Sequence, residues 1–209
     1  MTEASQRALQ LLRSPDHFQW YLVPLLACIL YVYVVEIQRK NWHLILSGLI
    51  LSAAEFTWEI LNALVLHFTR YSAVWTTPGD TAYLILVGLT IEIWMMFFVA
   101  GVIVLKSLPE KRHQKILGLP NRLLIPAAWG VFCSFVEVLL NRWGVLVWAY
   151  PWWNWPNISL IVLGYSLPFL VITWVYDRAS LTVKGCILLS FVVLNTILWV
   201  VFARVLAWI

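Results

Sequence analysis

Six apolar runs of roughly twenty residues follow one another along this chain, joined by short charged links, and that pattern admits few folds. The runs cover residues 18–37, 43–67, 81–105, 123–141, 158–176 and 183–205. Each is near the ~20 residues that an α-helix needs to cross hydrocarbon. In lipid every backbone N–H and C=O must be satisfied inside the segment, so such runs fold as helices. Composition agrees: 62% of the 209 residues are hydrophobic and 11% are charged, against about 25% charged in an average soluble domain. The expected fold is all-α, a polytopic membrane bundle of six transmembrane helices, or seven if an N-terminal helix also crosses.

Residues 1–17 read as a separate unit, mixed and polar, without the apolar stretch of a cleavable signal. Ala8, Leu9, Leu11 and Leu12 line one side of a short amphipathic helix, expected to lie at the membrane interface and to end by Pro15. Residues 18–209 read as a single transmembrane helical domain. Cys28, Cys133 and Cys186 all fall in apolar runs, and an odd number in such places argues against a disulfide framework. The net charge of +4 is the usual basic excess of membrane loops and does not point to nucleic acid.

Lys and Arg set the expected orientation. Arg39, Lys40, Lys106, Lys111, Arg112, Lys115, Arg122, Arg178 and Lys184 belong to the first, third and fifth links. Arg7, Arg13, Arg70, Arg142 and Arg204 belong to the other side. Nine against five puts the odd links in the cytoplasm and both termini outside or in the lumen, in a bacterial plasma membrane or an endoplasmic reticulum.

Four carboxylates interrupt the runs: Glu55, Glu59, Glu92 and Glu137. A charge in hydrocarbon costs several kcal/mol even on lenient insertion scales, so such groups mark sites by default. Glu55, Glu59 and Asn62 are spaced i, i+4, i+7 and form one stripe on the second helix, which Ser52 extends. Glu137 and Asn141 are spaced i, i+4 on the fourth, with Ser134 one turn before. At ~1.5 Å per residue Glu59 and Glu137 both fall beyond the midplane toward the outside, and Glu92 is expected near the middle of the third helix. The acids then share one layer. The plainer alternative is that each is a protonated Glu bonded to Asn, Ser, Trp or a carbonyl, locking helices together.

Tryptophan is the second signal, with 14 in the chain. Trp143, Trp148, Trp152, Trp153 and Trp155, with Tyr150, crowd one loop at the outer interface. An aromatic belt explains part of this, but the density exceeds what a belt needs. Trp58 and Trp94 lie deeper, beside Glu59 and Glu92 in sequence, and aromatic faces near acids suit a site that handles positive charge. No His or Cys pair has metal-ligand spacing, and no phosphate loop, dinucleotide fingerprint or Ser-His-Asp set is present, so no metal or cofactor is expected. A carboxyl taken out of water holds its proton more tightly and serves as a general acid. The stretch 84–91 also resembles 160–167, which is compatible with a tandem duplication of a helix pair.

The stretch 54–64, Ala-Glu-Phe-Thr-Trp-Glu-Ile-Leu-Asn-Ala-Leu, resembles the second-helix region of the small integral-membrane terpene cyclases of meroterpenoid biosynthesis, the pyripyropene-type family and its bacterial relatives. Those proteins carry a Trp-Glu pair there, and the match falls on Trp58 and Glu59. The resemblance implies an all-helical enzyme of about seven spans that protonates a prenyl epoxide or olefin and guides the cation through ring closure without metal. The family's second acid lies in a late helix, where this chain has Asn195; the residues themselves leave Glu137 or Glu92 for that part. The expected function is therefore a membrane-embedded terpene cyclase or isomerase acting on a lipophilic isoprenoid. Glu59 is the expected donor, with Glu137 or Glu92 as the second acid. Glu55, Trp58, Asn62, Trp94, Asn141, Trp143 and Trp148 are the expected substrate-binding residues. Membrane lipids are the only other partners implied. The competing reading is a proton-coupled transporter, or a lipid- or small-molecule-binding protein, that uses the same acids as a relay.

Overall fold

The computed structural model describes residues 1–79 and 81–209. Its helices are α1 (Glu3–Leu11), α2 (Leu22–Gln38), α3 (Trp42–Thr69), α4 (Ile91–Lys106), α5 (Asn121–Arg142), α6 (Ser159–Arg178) and α7 (Leu181–Trp199), which continues as a π-helical turn over Val200–Val205. Three short antiparallel ribbons join them: β1 (Trp75–Thr76) with β6 (Val147–Trp148), β2 (Leu84–Leu86) with β3 (Leu89–Thr90), and β4 (Lys115–Ile116) with β5 (Leu119–Pro120). Four helices are long and apolar enough to cross a membrane: α3, α5, α6, and α7 with its extension. The apolar helices α2 and α4 are shorter, at 17 and 16 residues. The protein is thus a helical membrane protein.

The β1–β6 ribbon marks one end of the bundle, and the α2–α3 link and the β4–β5 hairpin mark the other; the two are called the outer and the inner end, as labels only. Helix α3 is central, packed on α4, α7 and α6, while α5 pairs with α6. Small residues allow these contacts, as is usual where lipid offers no hydrophobic drive for helix association. A Cβ on Gly101 of α4 would come within 3.0 Å of the Gly48 Cα of α3. One on Gly130 of α5 would come within 2.6 Å of the Ser166 Cα of α6. Asn195 of α7 donates to the Ala53 carbonyl at 2.8 Å and accepts from Thr57 Oγ1 at 2.7 Å, so this membrane-depth amide locks α7 onto α3. At the inner end Asp177 accepts from Arg122 Nε at 2.9 Å and pairs with Arg112 at 3.3 Å. Glu36 pairs with Lys106 at 2.5 Å.

One expectation is corrected. The third apolar run does not begin a helix at residue 81. Residues 84–90 form the β2–β3 hairpin, and α4 starts only at Ile91, where Thr90 Oγ1 accepts from the Ile93 N–H as its cap. The run is apolar because Leu84, Leu86, Val87 and Leu89 are buried against Ile60, Ala63 and Leu64 of α3, not because it faces lipid. Glu92 therefore sits in the first turn of α4 rather than near its middle. Helix α1 packs on the protein through one face. Its Ser5 and Ala8 are fully buried, Ser5 Oγ meets Ser72 Oγ at 2.9 Å, and the Thr2 N–H donates to the Tyr71 carbonyl. Its inner face packs on the protein, and Leu9 is the apolar residue left exposed. Beyond α1, Arg13 donates to the Ile85 carbonyl and lies 4.7 Å above the Trp199 ring. Burial weakens the Arg13 guanidinium's hold on its proton.

Candidate functional site

The acid layer forms where α3 and α5 approach the outer ribbon. Glu59 lies about 15 Å and Glu137 about 8 Å below the outer ends of their helices, at 1.5 Å per residue. Both are almost fully buried, 2% and 5% exposed. Each is met by an indole. Trp75 Nε1 donates to Glu59 Oε1 at 2.9 Å, and Trp148 Nε1 donates to Glu137 Oε1 at 2.8 Å. Trp75 and Trp148 are also direct partners across the β1–β6 ladder. One short ribbon therefore carries both donors and aims one at each acid.

The helix amides hold that ribbon in place. Asn62, one turn past Glu59, donates to the Trp75 carbonyl at 2.8 Å and accepts from the Val74 N–H at 2.8 Å. Asn141, one turn past Glu137, donates to the Leu146 carbonyl at 3.0 Å. Both amides thus grip the backbone just before or at the ribbon. Both are expected substrate-binding residues, and their side chains are hydrogen-bonded to backbone. The hairpin closes the Glu59 half from above: a Cβ on Gly88 would fall 2.4 Å from Asn62 Nδ2 and 2.8 Å from Glu59 Oε2.

Glu55 differs from its neighbours. Protein surrounds it, and its carboxyl lies close enough to those of Glu59 and Glu137 to feel their charge. Yet it keeps part of its surface accessible and makes no hydrogen bond among the described residues. Tyr165 of α6 and Trp153 face the Glu137 carboxyl from the other side. Trp153 stacks near Trp75, with ring centroids 5.5 Å apart, and its Nε1 has no hydrogen-bond partner. Tyr165 lies parallel to Phe97 of α4 at 6.4 Å. The layer is walled by aromatic faces and floored by three carboxyls.

Four expected members stand apart. Trp58 is 55% exposed on the outside of α3. Consecutive helical residues point about 100° apart, so with Glu59 turned inward Trp58 must turn outward. Trp143 is 71% exposed at the end of α5. Glu92 is bound elsewhere: it accepts from Tyr21 Oη, from Thr81 Oγ1 at 2.6 Å and from the Ala82 N–H at 2.8 Å. Those partners fasten the segment before α2 and the loop before α4 to the top of α4, which is a structural duty. Trp94 packs between Phe56 and Phe98 at 5.2 and 5.3 Å, in the outer apolar cluster.

Trp75, Trp153 and Tyr165 are the residues that sequence reasoning missed. A signal for two of the site's tryptophans was present. Val74-Trp-Thr-Thr-Pro78 and Val147-Trp-Ala-Tyr-Pro151 share a Val-Trp-x-x-Pro pattern, and each follows a helix ending with a Glu and, three or four residues on, an Asn. That is a better candidate for an internal repeat than 84–91 and 160–167, of which one is a hairpin and the other lies within α6.

Comparison with known proteins agrees on the broad class. The model of an uncharacterized membrane protein family matches residues 2–204. The chain belongs to this family. It is similar to an uncharacterized protein of Archaeoglobus fulgidus, 44% identical over 209 residues, which are 100% of this chain and 99% of the relative. No solved structure matches. Family membership and the apolar helices together make this an integral membrane protein.

Proposed function

We propose that this protein is a membrane-embedded acid catalyst that cyclises or isomerises a lipophilic isoprenoid, in the manner of the small integral-membrane terpene cyclases. The observation that carries the reading is the pairing of two buried carboxyls with the indole N–H groups of Trp75 and Trp148 under aromatic walls. The indoles fix the direction of each carboxyl, and fixed groups contribute most to a proton transfer. The faces of Trp75, Trp153, Tyr165 and Phe97 suit a travelling carbocation, because the ring quadrupole attracts positive charge without acting as a nucleophile.

The chemistry needs no redox partner. A carboxyl proton adds to a terminal double bond or opens a terminal epoxide, leaving a tertiary cation. A second double bond of the same chain attacks it and closes a ring. Loss of a proton to a carboxylate ends the sequence. We further propose six spans, counting α2 and α4, with the inner end in the cytoplasm, since that end carries the excess of Lys and Arg.

The test is turnover of polyprenyl olefins and their terminal epoxides by wild type, Glu59→Gln and Glu137→Gln in membranes. Cyclised product from wild type that drops in both variants supports the reading. No product from folded wild-type protein sinks it, and proton flux in vesicles then tests the transporter alternative.

A further inference from the structure

We infer that Glu55 is the carboxyl that meets the substrate and donates the proton, while Glu59 and Glu137 stand anchored beside it. The inference rests on the catalytic reading above and assigns its donor to a different residue from the Trp-Glu motif. Glu59 Oε1 is bound to Trp75 and its Oε2 faces Asn62 at 3.5 Å, beneath Gly88. Glu137 Oε1 is bound to Trp148, and both acids are nearly inaccessible. A donor has to come within about 2.6–3.2 Å of the atom it protonates. Anchored carboxyls with no open surface cannot do so without dismantling the ribbon.

Glu55 meets both requirements. It is partly accessible and makes no hydrogen bond among the described residues. It sits one turn below Glu59 on the same face of α3. Tyr165 is likewise partly accessible, within the charge field of Glu55 and Glu137. An independent sign comes from Ser52, three residues before Glu55 on the same stripe. Ser52 is 1% exposed, and its Oγ has no hydrogen-bond partner among the described residues. A buried hydroxyl without a partner is unusual and calls for one. Ser52 and Glu55 thus lie on one face of α3, next to the anchored Glu59, with polar atoms that no described residue satisfies.

In the step proposed, the Glu55 O–H bond breaks and a C–H bond forms at one carbon of an isoprenoid double bond. The π electrons supply that bond, and the other carbon becomes the cation. After ring closure a neighbouring C–H bond breaks, its electrons form the new double bond, and its proton returns to the Glu55 carboxylate. The net change is isomerisation. Glu59 and Glu137 touch no substrate. Their indole anchors hold them in place beside Glu55, and their charge favours the protonated form that Glu55 needs as a donor.

The test separates reach from turnover. Dicyclohexylcarbodiimide, an apolar reagent that adds to protonated carboxyls, is applied to the full chain in proteoliposomes, and labelled peptides are read by mass spectrometry. Glu55 is expected to label, with Glu59 and Glu137 spared. Label on Glu59 or Glu137 in place of Glu55 overturns the inference. In the turnover assay Glu55→Gln is expected to lose at least about 100-fold, the lower end of general-acid contributions. Glu59→Gln keeps an oxygen for the Trp75 N–H and is expected to lose less. Wild-type turnover retained by Glu55→Gln overturns the donor role and leaves the catalytic reading intact. Glu55 labelling without wild-type turnover of any olefin or epoxide refutes that reading, and the donor role with it.

Discussion

Adding one methyl group at Gly88 should disturb the site from above without touching an acid. The residue sits in the turn of the β2–β3 hairpin, and its φ lies outside the left-handed region, so alanine meets no backbone penalty there. The cost is steric. The new Cβ would lie 2.4 Å from Asn62 Nδ2, 2.7 Å from Trp75 Cδ1 and 2.8 Å from Glu59 Oε2. All three groups are held: Asn62 by the Trp75 carbonyl at 2.8 Å, and the Trp75 ring by Glu59 at 2.9 Å. Overpacking of this kind costs about 1–3 kcal/mol. Breaking the Asn62 bond to make room adds about 1 kcal/mol. The sum, about 2–4 kcal/mol, corresponds to a fall of roughly 4–16 °C in Tm for a chain of this size. Thermal unfolding in detergent measures it, with Gly185→Ala as control, since nothing lies within 4 Å of a Cβ there. That control should be neutral or slightly stabilising, because alanine favours helix over glycine by up to about 1 kcal/mol. A Gly88→Ala protein as stable as wild type, with unchanged tryptophan fluorescence, would refute the placement of the hairpin over the Glu59 amide and indole.

Three further outcomes follow from the same geometry. Trp148→Phe keeps an aromatic ring but removes the N–H that meets Glu137 at 2.8 Å; a loss of about 1–3 kcal/mol is expected by thermal unfolding, and Trp75→Phe should behave alike. Ala8→Glu should destabilise strongly because Ala8 is fully buried, while Leu9→Glu should leave the unfolding free energy within about 1 kcal/mol of wild type; equal effects would refute the docking of α1 through Ser5 and Ala8. Asp177→Asn weakens the Arg122 and Arg112 contacts at 2.9 and 3.3 Å, with an expected loss of about 1.5–3 kcal/mol, read by the same unfolding assay.

The bundle was legible because the hydrocarbon imposes a length. Runs 43–67, 123–141, 158–176 and 183–205 became α3, α5, α6 and α7 with ends shifted by a few residues. The third run misled because burial in protein and burial in lipid select the same residue types. Nothing in Leu84-Ile-Leu-Val-Gly-Leu89 distinguishes a hairpin covered by α3 from the start of a span. In α1 the docked side carries Ser5 beside Ala8, a polar residue that periodicity alone does not assign to a packed face. Within the site, the stripe Ser52, Glu55, Glu59 and Asn62 could be read from helical spacing alone, and Glu137 with Asn141 likewise. Their partners could not, because Trp75 and Trp148 reach the acids by pairing across a ribbon between two loops. Adjacency in sequence pointed to Trp58 and Trp94 instead. On a helix the neighbour in sequence is the residue that faces elsewhere, so the Trp-Glu pair marks the position of Glu59 but not its company.

The central claim is proton-initiated chemistry on an isoprenoid, and isotope uptake tests it most directly. Wild-type protein in proteoliposomes made up in D2O would be incubated with polyprenyl olefins, and the recovered isoprenoids analysed by mass spectrometry. The account predicts a cyclised or isomerised product that has gained deuterium from the site, absent with Glu55→Gln. Isoprenoids recovered unchanged and unlabelled from folded wild-type protein would contradict it.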